Sequence, residues 1–167
     1  TASRLFSMHG WPMIFARLAT EADADAIVEM ARLNVEETCP GEPFSERRVR
    51  ETLDFAFRTA LKAAFVAEEN RKVIGFLAAD VCYYDHRDGF SVTQRVLYVR
   101  PERRGTRAAA LLMKELIAWS RRIGADAIDG GNDNGFRSER TAAFLRHFGF
   151  RQVGYAMRME LTDGRPR

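Results

Sequence analysis

Apolar residues recur every three or four positions in four segments of this chain, and this spacing predicts amphipathic helices. The four segments span residues 20–34, 45–60, 105–123 and 138–148. Residues suited to begin or end a helix flank them: Thr20 or Asp23, Ser45 and Ser138 at the starts, and Gly124 and Gly149 at the ends. We therefore expect four well-bounded helices.

Between these helices the pattern changes to the continuous or alternating apolar runs that are typical of strands. These runs span residues 13–19, 62–69, 72–84, 90–99, 125–130 and 150–161. Asn70-Arg71 separates the second run from the third and predicts a tight hairpin. The last run alternates and predicts a terminal hairpin or a bent pair of strands. The order β-α-α-β-β-β-α-β-α-β-β predicts one mixed α/β domain, in which the strands meander before a β-α-β-α crossover.

The length of 167 residues suits a single domain, which we place at residues 13–167. Residues 1–12 lack both an initial Met and the apolar core of a signal peptide. We expect them to be a loose arm or an expression remnant, with Met13 as a candidate natural start. No apolar run approaches the ~20 residues that span a bilayer, so we expect no membrane association.

The net charge of +3 suits an anionic ligand without demanding nucleic acid. The two cysteines have no CxxC spacing, which favours reduced thiols in a cytoplasmic protein. The three histidines do not pair at metal-ligand spacing, so we expect no metal.

The stretch VLYVRPERRGTRAAALL, residues 96–112, places cations and a glycine where a strand passes into a helix. The first turn of a helix leaves backbone N–H groups unpaired and partly positive, which favours phosphate. Gly105 lets the backbone approach a ligand, and Arg104 and Arg107 supply fork-shaped donors. These features predict a diphosphate-binding turn. A solvated basic start of an amphipathic helix is the alternative.

This stretch resembles motif A of the GNAT superfamily of N-acetyltransferases, an apolar strand followed by V-x-P-x-x-R-G-x-G-x-G/A and a helix. The match runs from Val99 to Ala109. Residues 138–154, SERTAAFLRHFGFRQVG, are similar to a second motif of that family. The matching positions there are Phe144, Gly149, Phe150, Val153 and Gly154.

The resemblance implies a mixed, mostly antiparallel twisted sheet with splayed central strands flanked by helices. It also implies acetyl-CoA, or another acyl-CoA, as the donor for direct attack by an amine. The implied cofactor-binding residues are Leu97, Tyr98 and Val99 for the pantetheine, Arg104, Gly105, Thr106, Arg107, Ala108 and Ala109 for the diphosphate, and Ser138 and Phe144 from the second motif.

Three positions depart from the family pattern. Arg107 replaces the central glycine of motif A, so the helix must already be regular there because arginine avoids left-handed angles. Leu145 replaces a tyrosine that often protonates the leaving thiolate. Ser138 replaces an asparagine and reaches less far.

The catalytic candidates follow from the resemblance and from the chemistry of acyl transfer. The N–H of Val99 is expected to polarise the thioester carbonyl. Gln94 can order a water that relays a proton, or it is an outward polar residue of the strand. Glu36 and Glu37, in the loop after the first helix, can bind a cationic acceptor, and Glu37 can take its proton. Both are otherwise solvated charges.

We therefore expect a cytoplasmic, acetyl-CoA-dependent N-acetyltransferase that acts on a primary amine of a small molecule or peptide. The alternative is an inactive or weak acyl-CoA sensor or interaction module of the same fold, favoured by the missing tyrosine. The modest charge and the lack of an aromatic-basic run argue against a nucleic-acid binder. The resemblance allows a homodimer and leaves the acceptor open.

Overall fold

The computed structural model describes residues 13–159 and 161 of the chain, so the arm expected at residues 1–12 lies outside the described residues. The described residues form five strands: β1 (Ile14–Leu18), β2 (Lys62–Glu69), β3 (Lys72–Tyr83), β4 (Phe90–Val99) and β5 (Ala127–Asp129). They also form four α-helices: α1 (Ala24–Thr38), α2 (Glu46–Arg58), α3 (Ala108–Arg122) and α4 (Ser138–His147). Short 3₁₀ turns lie at Glu21–Asp23 and Pro101–Arg103.

The strands form one sheet in the order β1-β2-β3-β4-β5. The first three pairings are antiparallel, and β4 pairs with β5 in parallel. The β2–β3 hairpin turns at Asn70 and Arg71, whose φ angles of 51° and 63° suit the two-residue turn that matches strand twist. The expectation of a mixed, mostly antiparallel sheet flanked by helices is confirmed.

Helices cover both faces of the sheet. Adjacent residues of β2 point to opposite faces, so Phe65 packs with α3 residues such as Leu112. Val66 packs on the other face with Ile27 of α1 and Leu53 of α2. These two hydrophobic clusters, one on each face, fix the position of the sheet relative to α1 and α3.

Local sequence explains most of the helix ends. The Ser45 hydroxyl accepts from Arg48 N and caps α2, as predicted. Gly124 and Gly149 follow α3 and α4 with φ of +79° and +89°. Ser138 is not a cap, because α4 is preceded by Arg137 in the left-handed conformation and Ser138 is its first residue.

The start of α1 is held by a buried carboxylate. Asp23 is 5% exposed, and it accepts from Thr20 N at 2.8 Å and from Arg17 Nη1 at 2.7 Å. The Arg17 guanidinium also donates to Glu68 of β2. This network joins α1 to the first two strands.

Helix α1 runs to Thr38, four residues beyond the predicted end. Residues 35–38 have no helix breaker, and Pro40 and Gly41 come only afterwards. The expectation that Glu36 and Glu37 lie in a loop is therefore wrong, since both belong to the last turn of α1.

The terminal strand pair predicted at residues 150–161 is absent from the residues described there. Alternation forms a strand only where the apolar side chains meet a core. Val153, Tyr155, Met157 and Met159 are 77–91% exposed instead.

No helix within residues 13–159 is long and apolar enough to cross a membrane.

Candidate active site

Strands β4 and β5 part after a short parallel pairing. Only Ser91, Val92 and Thr93 of β4 pair with β5, so the rest of β4 has no strand partner on that side among the described residues. A β-bulge lies at the same place, because Ala78 and Ala79 of β3 face Val96 and Gln94 and leave Arg95 unpaired. The expected gap between splayed strands therefore begins at Gln94.

The free edge of β4 presents backbone groups to this gap. Arg100 N donates to Ile74 O of β3, and the direction of backbone groups alternates along an antiparallel strand. The N–H groups of Leu97 and Val99 therefore point away from β3 and into the gap. The backbone N–H and C=O of Tyr98 point toward β3, and its ring packs against α1.

The turn before α3 offers unpaired N–H groups. Thr106 N and Arg104 N donate weakly within the turn, both at 3.3 Å, and Ala108 N donates to the Thr106 hydroxyl. The structure gives no acceptor in residues 13–159 for the N–H groups of Gly105, Arg107, Ala109 and Ala110. We call this segment, residues 104–110, the α3 turn.

Gly105 and Arg107 set the shape of the α3 turn. Gly105 has φ of +86°, and a Cβ added there would have no atom within 4 Å. Its surroundings are therefore open to a ligand. Arg107 has right-handed angles of −73° and −4° and immediately precedes α3, so the position where the resembled motif carries glycine does not adopt left-handed angles, and the helix begins only at Ala108.

Arg104 forms a bidentate ion pair with Glu37. Arg104 Nη1 donates to Glu37 Oε1 at 2.7 Å, Nη2 donates to Oε2, and Nε donates to Val99 O at 3.0 Å. These hydrogen bonds lower the pKa of Glu37, because they favour the charged carboxylate. Burial raises the pKa of Tyr98, whose ring centroid lies 5.4 Å from the guanidinium carbon of Arg104.

A cavity of about 300 Å³ adjoins the gap. It brings together many of the predicted site residues: Glu37, Gln94, Leu97, Tyr98, Val99, Arg104, Ala109 and Phe144. Gln94 is only 8% exposed, and its Oε1 lies 3.2 Å from the position of a Cβ built on Gly130, which follows β5. Leu145 also lines the cavity and is 6% exposed.

Other residues that were predicted for the site do not line this cavity. Glu36 pairs with Arg32 on the exposed side of α1. Ser138 lines an adjoining groove beside α4, which shares Gln94 and Leu145 with the cavity. Gly105, Thr106, Arg107 and Ala108 are in the α3 turn, which adjoins the cavity through Arg104 and Ala109.

Sequence reasoning missed the loop between β5 and α4. Asn132, Asn134, Phe136 and Arg137 from this loop line the cavity, as do Arg140 and Thr141 of α4. Asn134 Nδ2 lies 4.0 Å from Cys39 Sγ at the end of α1, so the loop reaches across the gap. The available signal was the polar run NDN, which follows β5 after two glycines at the carboxyl edge of parallel strands.

The described residues contain no group of three or more His, Cys, Asp or Glu side chains that could hold a metal.

The comparisons with known proteins agree with this geometry. The family model described as the acetyltransferase (GNAT) domain matches residues 61–152, more than half of the chain. This chain belongs to the GNAT acetyltransferase family. The match covers β2 to α4, which include the gap, the α3 turn and the second predicted motif up to residue 152. No curated protein sequence matches the chain.

Solved GNAT-fold structures superpose on most of the chain. A predicted acetyltransferase from Clostridium acetobutylicum with acetyl-CoA has a TM-score of 0.74 and 17% identity, over 89% of this chain and 97% of that one. An aminoglycoside N-acetyltransferase in complex with CoA has a TM-score of 0.73 and 15% identity, over 90% and 95%. A transcriptional regulator from Bacillus halodurans has a TM-score of 0.73 and 17% identity, over 89% and 100%. At these identities the likeness establishes the fold.

Proposed function

We propose that this chain transfers an acetyl group from acetyl-CoA to a primary amine of a small-molecule or peptide acceptor by direct attack. The observation that carries the proposal is the set of unpaired backbone N–H groups along one path. Those of Gly105, Arg107, Ala109 and Ala110 lie at the α3 turn, and those of Leu97 and Val99 line the gap.

The α3 turn fits a diphosphate. Its free N–H groups lie at the positive end of a 15-residue helix, where an anion is stabilised. The hydrogen bond from Ala108 N to the Thr106 hydroxyl helps to shape the turn. Arg104 adds charge and keeps two of its five N–H donors, since the other three bind Glu37 and Val99 O.

The edge of β4 fits an extended pantetheine arm. Such an arm pairs with a free strand edge through amide groups, as an added strand does. Leu97 offers an N–H group for this pairing, whereas Val99 O is already bound by Arg104 and the Val99 N–H is left for the thioester carbonyl. Phe144 and Ala109 supply apolar contacts on the α3 and α4 side of the gap.

The reaction forms a C–N bond and breaks the C–S bond of the thioester. The Val99 N–H stabilises the negative charge that develops on the carbonyl oxygen. Gln94 orders a water that accepts the proton from the attacking amine. Leu145 cannot donate a proton, so water protonates the departing thiolate. Glu37 positions Arg104 and faces the acceptor side of the cavity.

Calorimetry and thiol release test the proposal together. Titration with acetyl-CoA is expected to give saturable heat, and a primary amine acceptor is expected to release free thiol. Absence of heat from acetyl-CoA at millimolar concentration would remove the proposed donor site.

An acyl-CoA-binding module without turnover is the second candidate. Two observations favour it: Leu145 occupies the position of the usual acid, and the pKa of Glu37 is lowered by Arg104, which makes this carboxylate a weak base. Such a module would bind acetyl-CoA and release no thiol with any amine.

A further inference from the structure

We propose that Asn132 is a positioning residue, whose side-chain amide folds the chain after β5 into a compact turn and so keeps the gap beside β4 open for the donor. Asn134 completes this turn. The inference rests on the proposed function, because the gap is the proposed site of the pantetheine arm and of the thioester.

The chain after β5 lies where it could continue the pairing with β4. Asp129, the last residue of β5, is opposite Thr93, and β4 continues to Val99. In the same register, residues 131–135 would lie beside residues 95–99. A free strand edge pairs readily with a nearby extended segment. The conformation of the loop between β5 and α4 therefore decides whether the edge of β4 stays free.

Asn132 and Asn134 give the loop a different set of hydrogen bonds. Asn132 Nδ2 donates to Phe136 O at 2.5 Å and to Asn134 Oδ1 at 3.2 Å. Asn134 Oδ1 also accepts from Phe136 N at 3.0 Å. Local side-chain bonds of this kind offer the backbone an alternative to a strand ladder. Both backbone polar groups of Phe136 are thus occupied within the loop.

The backbone angles of this turn cannot belong to a strand. Gly135 has φ of +74°, and Arg137 is left-handed with φ of 48° and ψ of 41°. A residue with a Cβ is strained in this region and keeps such angles only where its surroundings determine them. The bond from Asn132 Nδ2 to Phe136 O fixes the peptide group directly before Arg137. The Asn132 amide therefore stabilises the angles that turn the chain away from β4.

The loop and β4 touch only where they begin to part. Gln94 Oε1 lies 3.2 Å from the position of a Cβ built on Gly130, so the two segments are in contact there. Beyond that point Asn132 and Asn134 line the same cavity as Leu97 and Val99. A straightened loop would pair with the N–H groups of Leu97 and Val99. The compact turn leaves these two donors available, one for the pantetheine and one for the thioester carbonyl.

The test combines hydrogen exchange with binding. Asn132→Val and Asn134→Val each remove the side-chain bonds of the turn and favour an extended backbone. Asp133→Val is the matched control, because it introduces the same side chain between them, and the Asp133 carboxylate is 79% exposed and pairs with Arg158 outside the turn. Amide hydrogen exchange of the ¹⁵N-labelled protein, acetyl-CoA calorimetry, steady-state thiol release and chemical unfolding are measured on every variant.

We expect the amides of Leu97 and Val99 to exchange at least about tenfold more slowly in Asn132→Val and Asn134→Val than in wild type, because they become paired. Acetyl-CoA binding is expected to weaken by about tenfold, as for a gap that is open in about one molecule in ten. The loss is expected in KM for acetyl-CoA, with kcat nearly unchanged. Asp133→Val is expected to match wild type in exchange and affinity, and the Asn variants are expected to unfold no more easily than this control.

Unchanged exchange and unchanged affinity in both Asn variants would overturn the inference. A lower free energy of unfolding without slower exchange at Leu97 and Val99 would also overturn it, because it would show a merely structural role. Absence of acetyl-CoA binding in wild type would instead overturn the proposed function, and the exchange rates would still test the role of Asn132.

Discussion

The Arg104 guanidinium binds the Glu37 carboxylate through two hydrogen bonds and joins the last turn of α1 to the α3 turn. The two residues are 67 positions apart in the chain, and their side chains are 29% and 26% exposed. The same arginine binds Val99 O. One side chain therefore connects the last turn of α1, the free edge of β4 and the α3 turn.

Glu37→Gln is expected to destabilise the protein by about 1 kcal/mol at pH 7, because it removes a charge-assisted pair that is only partly screened by solvent. Chemical unfolding measures the difference in free energy. Glu36→Gln is the matched control, since Glu36 is on the exposed side of the same turn and its side chain is 55% exposed.

The difference in unfolding free energy between wild type and Glu37→Gln depends on pH, because the pKa of Glu37 is lowered in the folded protein. A group whose pKa is lower in the folded state stabilises the protein above its unfolded-state pKa, which is about 4.3 for Glu. The difference between wild type and Glu37→Gln is therefore complete above about pH 5 and declines as the pH falls below about 4.3. A difference that grows on acidification would contradict the ion pair.

Gly105→Ala is expected to weaken acetyl-CoA binding by about tenfold or more, because a Cβ would stand where the backbone meets the diphosphate. Calorimetry measures the effect. Gly124→Ala is the control at the other end of α3, where φ of +79° imposes a similar strain and the space is equally open. Both variants are expected to lose about 1 kcal/mol of stability, and only the first is expected to lose affinity. Equal affinities would argue against contact at the α3 turn.

Gln94→Leu is expected to lower kcat by about tenfold while leaving the acetyl-CoA affinity unchanged, because it removes the group that orders the proton-accepting water. Steady-state thiol release and calorimetry separate the two quantities. Gln152→Leu, on the exposed segment after α4, is the control. An unchanged kcat would mean that Gln94 is only a polar strand residue.

Asp23→Ala is expected to destabilise the protein by about 2–4 kcal/mol, because it leaves the Arg17 guanidinium and the Thr20 N–H without their acceptor. Thermal or chemical unfolding measures the loss. Asp25→Ala is the control, because the Asp25 side chain is 88% exposed. A loss no larger than that of the control would show that Arg17 finds an equivalent partner in Glu68.

Local patterns were sufficient for the features that depend on neighbouring residues. Helical spacing placed all four helices, the pair Asn70 and Arg71 marked the hairpin, and the run from Val99 to Ala109 marked the passage of strand into helix. Each of these is decided by backbone preferences and burial within a short segment.

Features that join distant segments could not be read from the sequence. The Glu37–Arg104 pair depends on one extra turn of α1 and on its packing against β4. The bulge at Arg95 depends on the register between β3 and β4. The terminal strands were expected from alternation alone, yet a strand also needs a core for its apolar side chains, and those of Val153, Tyr155, Met157 and Met159 are exposed.

The central claim is that backbone N–H groups of the α3 turn and of β4 bind the donor. Amide chemical-shift mapping of the ¹⁵N-labelled protein during titration with acetyl-CoA tests it most directly. We predict the largest shifts at Gly105, Arg107, Ala109, Leu97 and Val99, with the α3-turn shifts lost when pantetheine, which lacks the diphosphate, replaces acetyl-CoA. Shifts confined to other parts of the chain, or unchanged amides at saturating acetyl-CoA, would contradict the account.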